Sequence, residues 1–312
     1  MPSLAGATEW LNSEPLTPSG LTGHVALVDF GTYTCINWLR TLPHIRAWAE
    51  RYRAHGLVVV GIQTPEFEFE QSLDSVRREV AARGIGWPVA VDNDYEIWQA
   101  FDNRYWPALY FVDRDGVIRH HHFGEGRYEQ SERVIQRLLD LAPQDPVAVA
   151  GEGDEAEADW PRLNSPETYL GYERTDNFAS PGGVAPGAPR VYAAPGHLGP
   201  GQWALAGDWT MERERVSLNA PGGRILFRFQ ARDVHLVLRR STAQAEPVPF
   251  RVLLDGDRPG AAHGVDAGAG GDGRLDEDRL YQLVRQPGAV EERTFEITFH
   301  AAGVEAYVVT FG

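Results

Sequence analysis

Val28-Asp29-Phe30-Gly31-Thr32-Tyr33-Thr34-Cys35-Ile36-Asn37-Trp38 is the stretch that decides the fold of the first half of the chain. It starts inside an apolar run, 25–30 (VALVDF), that reads as a buried strand. It ends inside 36–54, where Leu39, Leu42, Ile45, Trp48, Ala49 and Tyr52 recur at helical spacing. Strand, short loop and helix therefore follow one another, and Cys35 falls where the helix opens. A helix N-terminus offers unpaired N–H groups and a partial positive charge, which favour thiolate over thiol.

Outward from this stretch the alternation continues. Residues 57–63 (LVVVGIQ) form a β-branched strand, 69–83 a helix with Val76 and Val80 inward, 88–91 a short strand and 95–101 a short helix. Strands at 108–112 and 117–122 flank Asp113-Arg114-Asp115-Gly116, whose Asp-Gly ending is a hairpin signal. A helix at 131–141 closes the series. Alternating elements with a terminal hairpin predict an α/β three-layer fold over 1–141.

Residues 142–165 (APQDPVAVAGEGDEAEADWPRLNS) hold one Arg against six acids and read as an extended, solvated linker. Beyond it the period changes to two. Stretches 224–230, 234–239, 250–254, 295–299 and 306–311 have strand length and are separated by Gly- and Pro-rich turns. This predicts an all-β antiparallel sandwich, jelly-roll-like, over 166–312, with 261–273 as a flexible loop inside it.

Composition agrees with two domains. The chain has 312 residues, 43% hydrophobic and 23% charged, which excludes a disordered chain or a fibre. All 29 basic residues are Arg, so Schiff-base chemistry and a P-loop are excluded. One cysteine excludes an internal disulfide, a cysteine zinc site and a two-cysteine redox motif within the chain. A net charge of −15 argues against nucleic acid as a partner. No run of 18 apolar residues is present, so no membrane-spanning helix is expected. No cofactor is called for.

The decisive stretch resembles the thioredoxin superfamily (redoxin/TlpA-like), whose signature is a strand ending in Asp-Phe-Trp and a Cys-x-x-Cys that opens a helix. Asp29 stands six residues before Cys35, the spacing of that family's buried aspartate. Trp106-Pro107 precedes a predicted strand, where the family keeps a cis-proline facing the cysteines. Thr64-Pro65-Glu66-Phe67, Asp92-Asn93-Asp94-Tyr95, Asn103-Arg104-Tyr105-Trp106-Pro107-Ala108 and Phe123-Gly124-Glu125-Gly126 resemble the soluble C-terminal region of DipZ-type disulfide-transfer proteins. In that branch the thioredoxin-like domain is followed by a jelly roll resembling a carbohydrate-binding module. Pro166-Glu167-Thr168-Tyr169-Leu170-Gly171 and Thr310-Phe311-Gly312 fit its start and end.

Two departures from the pattern bear on function. The family's second cysteine is Trp38 here, and the tryptophan after Asp-Phe is Gly31. Without a resolving thiol, a dithiol cycle cannot finish within the chain. The family role of Asp29, assisting that second cysteine, loses its object. The two changes are expected to compensate in space, the indole of Trp38 replacing the one absent at Gly31.

Three roles for Cys35 stay open at this point. It is a monothiol that attacks a disulfide-bearing protein and is resolved by an external thiol. Or it is a one-cysteine peroxidase, since Thr32-Tyr33-Thr34-Cys35 resembles the peroxiredoxin Thr-x-x-Cys, with Arg104 or Arg40 to activate peroxide. Or it is an inherited thiol on a non-catalytic binding domain. The candidate site is therefore Cys35, Thr32, Asp29, Trp38, Arg104 and Pro107.

Other features read more plainly. His120-His121-His122 places two imidazoles on one strand face, too few for zinc, so no metal site is expected. Asp92-Asn93-Asp94 lacks the Gly and Glu of a calcium loop and reads as a helix cap at Asn93 or Asp94. Glu66, Glu68 and Glu70 read as a solvated loop or helix start, while the family resemblance implies that this segment lies near the active site. Trp203, Trp209, Tyr169, Tyr172 and Phe178 are core residues or a sugar platform, the latter needing exposed rings beside Asp255, Asp257 and Arg258. The first 16 residues lack a basic segment followed by an apolar core, which points to the cytoplasm. The family resemblance points outside it.

Overall fold

The structure is a computed structural model that describes residues 1–241 and 246–312. The chain divides into two compact units, Met1–Ala156 and Glu157–Gly312.

The first unit contains β1 (Glu9–Leu11), β2 (Val25–Gly31), α1 (Ile36–Tyr52), β3 (Leu57–Gln63), α2 (Leu73–Ala82), β4 (Val89–Val91), α3 (Glu96–Ala100), β5 (Ala108–Val112), β6 (Ile118–Phe123) and α4 (Tyr128–Leu138). Its mixed sheet runs β1-β4-β3-β2-β5-β6, with β2, β3 and β4 parallel and the other pairs antiparallel. All seven residues of β2 are buried, as expected of a strand covered on both faces. The register fixes the site. Gly31 pairs with Gln63, Gln63 with Val91, and Phe30 with Ala108. The loop after β2, the loops after β3 and β4, and the approach to β5 therefore gather at one edge of the sheet.

The predicted helix at 69–83 is two elements, a 3-10 turn Glu68–Gln71 and then α2, whose N-cap Ser72 accepts the Ser75 N–H. The cap of α3 is Asp92 rather than Asn93 or Asp94. Its carboxylate accepts the N–H groups of Ile97 (2.9 Å) and Trp98 (2.8 Å), because Tyr95 in a left-handed conformation (φ 59°) turns the first free amides back toward it. Residues 142–156 are fastened to the first unit. Val147 N–H donates to Glu132 Oε2, Arg51 donates to Asp145 O, and Asp154 and Glu155 pair with Arg83 and Arg46. Arginines on α1 and beside α2 neutralise the acids whose mutual repulsion would extend a free linker.

The second unit is an antiparallel β-sandwich of β7 (Thr168–Tyr169), β8 (Pro189–Tyr192), β9 (Trp203–Met211), β10 (Val216–Leu218), β11 (Arg224–Gln230), β12 (Asp233–Arg240), β13 (Val248–Leu254), β14 (Asp272–Leu275), β15 (Arg279–Arg285), β16 (Glu292–Phe299) and β17 (Val304–Phe311). The pairing path is β14-β13-β16-β11-β9-β10-β17-β12-β15. β13 and β15 stand near opposite ends of that path, yet the rings of Phe250 and Tyr281 are 6.3 Å apart, so the sheet folds over on itself around one core. The stretch 261–273, read as a flexible loop, is packed. A Cβ at Gly273 would meet the Phe250 ring at 2.3 Å, and Ala262 and Ala267 are buried in the core.

Candidate functional site

Cys35 is the N-cap residue of α1 and is partly buried. Its N–H donates to Thr32 O (3.1 Å), and its carbonyl accepts from Leu39 N–H (3.0 Å), which closes the turn before the helix. The Trp106–Pro107 bond is cis, immediately ahead of β5. The Pro107 carbonyl accepts from Gly124 N–H, and the Trp106 indole donates to Thr64 O (3.0 Å). Thr64 N–H in turn donates to Gly31 O, and its hydroxyl to Asp92 Oδ2 (3.1 Å). A lattice of hydrogen bonds thus joins the segments at this sheet edge.

Trp38 lies one turn into α1 and is buried. Its indole lies directly over Gly31: a Cβ there would be 2.1 Å from Nε1, 2.2 Å from Cδ1 and 2.4 Å from Cε2. Only glycine leaves room for this ring. The same indole donates from Nε1 to Asp29 Oδ2 at 3.0 Å. Asp29 is fully buried, and its Oδ1 has no hydrogen-bond partner among the described residues. Burial pushes its carboxyl up to about 7, against the opposing pull of the Trp38 hydrogen bond. Asp29 and Trp38 line a cavity of about 20 Å³ together with Gln63, Val80 and Trp87. The position after Cys-x-x is thus filled by an indole bonded to the buried aspartate.

Thr32 is fully buried, and its hydroxyl accepts from Gln63 Nε2 (2.9 Å). Thr34, also buried, donates its hydroxyl to Glu70. Of the acidic run read as solvated, Glu68 is exposed and Glu66 half-buried, but Glu70 is fully buried. Its carboxyl accepts the N–H groups of Glu66 and Phe67 as well, and burial raises it to about 7. The sequence reading took this residue as solvated. The available signal was Phe67 and Phe69 interleaved with the acids; the 3-10 turn brings Phe69 and Glu70 inward together.

The two candidate arginines each have an acidic partner. Arg104 is exposed and pairs with Asp102 (3.1 Å). Arg40 is buried on α1 and pairs with the buried Glu125 (3.1 Å) in the loop after β6. His120 and His122 share the half-buried face of β6 while His121 is exposed, and burial holds both below the ordinary imidazole range. Among the described residues no cluster of three or more His, Cys, Asp or Glu is placed to hold a metal. Nor, among the described residues, is any helix long and apolar enough to cross a membrane. In the second unit Trp203 and Trp209 are core residues, and Phe178 packs against Trp203. Asp255 is held by Arg293 and the Thr294 N–H.

A lone cysteine heading the helix after a central strand, with a cis-proline beside that strand's end, defines a thioredoxin-like domain of the thiol–disulfide oxidoreductase class. The comparisons with known proteins agree. Residues 9–121 match the AhpC/TSA family and residues 165–312 the thioredoxin-like C-terminal domain family. The chain belongs to the thioredoxin superfamily and carries both of these domains in that order. It is 34% identical to Protein DipZ of Mycobacterium tuberculosis over 274 residues, which cover 86% of this chain and 39% of DipZ. The chain thus spans about two fifths of the length of the DipZ proteins it matches. It is 28% identical to the thiol-disulfide oxidoreductase YkuV of Bacillus subtilis over 139 residues, covering 45% of this chain and 93% of YkuV. A solution structure of a thioredoxin-like protein in the oxidized form aligns at 30% identity and a TM-score of 0.42, covering 45% of this chain and 94% of that one.

Proposed function

We propose that the protein is a monothiol oxidoreductase acting through Cys35. The Cys35 thiolate attacks one sulfur of a partner protein's disulfide. A mixed disulfide forms, and the partner's other sulfur leaves as thiolate. An external thiol then attacks the mixed disulfide and restores Cys35. The observation that carries this reading is Trp38. The resolving position is occupied by a buried indole bonded to Asp29, so resolution must come from outside the chain. The names of the relatives, thiol-disulfide oxidoreductases among them, support a protein-thiol partner.

The peroxidase reading draws less support. Thr32 is engaged by Gln63, Arg104 by Asp102 and Arg40 by Glu125, so each candidate group already has another partner. A sugar platform in the second unit draws none from Trp203 and Trp209, whose rings are in the core.

Two measurements test the proposal. The pH dependence of Cys35 alkylation is expected to place its thiol below the free-cysteine value of about 8.5. An aromatic disulfide is expected to release one thiol per chain, with turnover only when glutathione is added. An alkylation midpoint at or above about 8.5, or full turnover by Cys35→Ser, overturns the reading.

A further inference from the structure

Glu70 is a fully buried carboxyl that the proposed exchange does not use, and its surroundings join it to the loop carrying Cys35. Thr34, the residue before Cys35, donates its hydroxyl to Glu70 Oε1. Thr32 reaches the same carboxyl, while its oxygen accepts from Gln63. The other oxygen, Oε2, accepts the backbone N–H groups of Glu66 and Phe67. Between the two threonines, Tyr33 packs edge-on against Phe69 of the same 3-10 turn, ring centroids 6.3 Å apart. Every residue from Thr32 to Thr34 is therefore held by the turn Glu68–Gln71.

We infer that Glu70 is the positioning residue for Cys35, fixing the loop that presents the thiol at the N-terminus of α1. The inference rests on the reading of Cys35 as an attacking thiol. The chemistry of the four contacts is specific. All four donors are hydroxyl or amide groups, none a cation, so the carboxyl is held by geometry rather than by an ion pair. The charged neighbour that bears on it is Glu66, on its own stretch, which opposes ionisation; the loop packed against it supplies hydroxyls. Burial keeps the proton on Glu70 to about pH 7. When it leaves, a negative charge appears behind the loop, opposes the Cys35 thiolate and tightens the hold on both threonines.

The test is the alkylation rate of Cys35 against pH in the full chain, for wild type, Glu70→Gln and Thr34→Val. Glutamine can still bond the loop, with its amide group turned to Thr34, but never acquires charge. Its alkylation midpoint is expected to fall by about half a unit or more. Thr34→Val keeps the carboxyl and cuts its link to the loop. It is expected to slow alkylation of the thiolate several-fold while preserving the fold by circular dichroism. Profiles of both variants that superimpose on wild type overturn the inference. Should one variant fail to fold, the other's superposition does so alone. A wild-type midpoint at or above about 8.5 overturns the exchange reading instead, and the two failures are thereby distinguished.

Discussion

Asp29 and Glu70 in the first unit and Asp233 in the second are comparably buried carboxyls, and their surroundings drive them in opposite directions. Asp29 has one indole N–H for a partner, and Glu70 has hydroxyls and amides. Burial dominates both and raises them to about 7. Asp233 sits between two guanidinium groups, Arg285 at 2.6 Å and Arg232 at 2.7 Å. Burial would raise it too, but the Arg285 hydrogen bond, the charge of His235 and Arg232 outweigh burial and hold it below the ordinary aspartate value. The same residue type thus serves two ends. In the second unit a cation makes the acid a structural fastener. In the first, without one, the acids stay protonated near neutrality beside the loop that carries Cys35, and perturbed carboxyls often mark function.

Linkage gives the two units opposite responses to pH. Unfolded, Asp29 and Glu70 ionise near 3.8 and 4.5; folded, they keep their protons to about 7. Their stabilising contribution is complete below the unfolded values and is lost as pH rises to about 7. Asp233 contributes stability above the unfolded value of 3.8, lost as pH falls through its lower folded value.

The largest effect expected of any single change falls on the second unit. Asp233→Ala leaves two arginines facing a vacated partner and is expected to cost about 3 kcal/mol at pH 7. Amide hydrogen exchange of β12 and β15 reads it locally. If the acid-side loss of protection in these strands persists unchanged in the variant, Asp233 is not its source and the contrast fails.

Next comes the seal over Asp29. Gly31→Ala drives a methyl into the Trp38 indole and is expected to cost about 2–3 kcal/mol. In a Trp38→Ala background the same change is expected to be near neutral, because the ring it strikes is gone. Additive costs in the double mutant would break the claimed contact. Displacing the indole also wets Asp29, so the neutral-pH limb of first-unit stability is expected to flatten in Gly31→Ala.

Asp29→Asn isolates the carboxyl itself. Asparagine still accepts from the Trp38 indole but carries no proton to lose. The rise to about 7 corresponds to roughly 4 kcal/mol at 1.36 kcal/mol per unit. Packing and repolarisation trim this, and a gain of about 2 kcal/mol at pH 8, vanishing by about pH 4, is expected. Denaturant midpoints at the two pH values decide it; equal gains at both would mean that titration of Asp29 is not involved.

The sequence carried most of this contrast on the apolar side and little on the polar side. Strand, loop and helix around Cys35 follow from apolar spacing, and the pairing of Gly31 with Trp38 from comparing two departures within eight residues. The burial of Glu70 was misread because an acid alternating with Phe67 and Phe69 looks solvated until a 3-10 turn rotates it inward. β9 was missed because Gly207, at φ 97°, interrupts its alternation. β15 was missed because Gln282, buried mid-strand, reads as a surface residue. The docking of residues 142–156 depends on Arg46, Arg51 and Arg83, dozens of residues away in the chain. Sequence periodicity reports which residues avoid water. It does not report which polar group finds a distant partner, and that choice separates Asp233 from Asp29.

The smallest effect is expected at Arg104, and it sharpens the functional half of the comparison. Arg104 and its partner Asp102 are both more than 70% exposed, with side chains at 73% and 86%. An exposed pair of this kind contributes about 0–1 kcal/mol, so Arg104→Gln is expected to leave stability within about 0.5 kcal/mol of wild type. A solvated guanidinium already paired with a carboxylate also exerts a weak, screened field on its surroundings. The rate of Cys35 alkylation and the rate of its oxidation by hydrogen peroxide are both expected to stay within about twofold, a barrier change of roughly 0.4 kcal/mol. A selective drop of tenfold or more in the peroxide rate, with alkylation unchanged, would mean that Arg104 swings to the thiol when peroxide binds. The Thr-x-x-Cys resemblance would then outweigh the geometry, and Cys35 would be working as a peroxidatic thiol rather than as an exchange thiol.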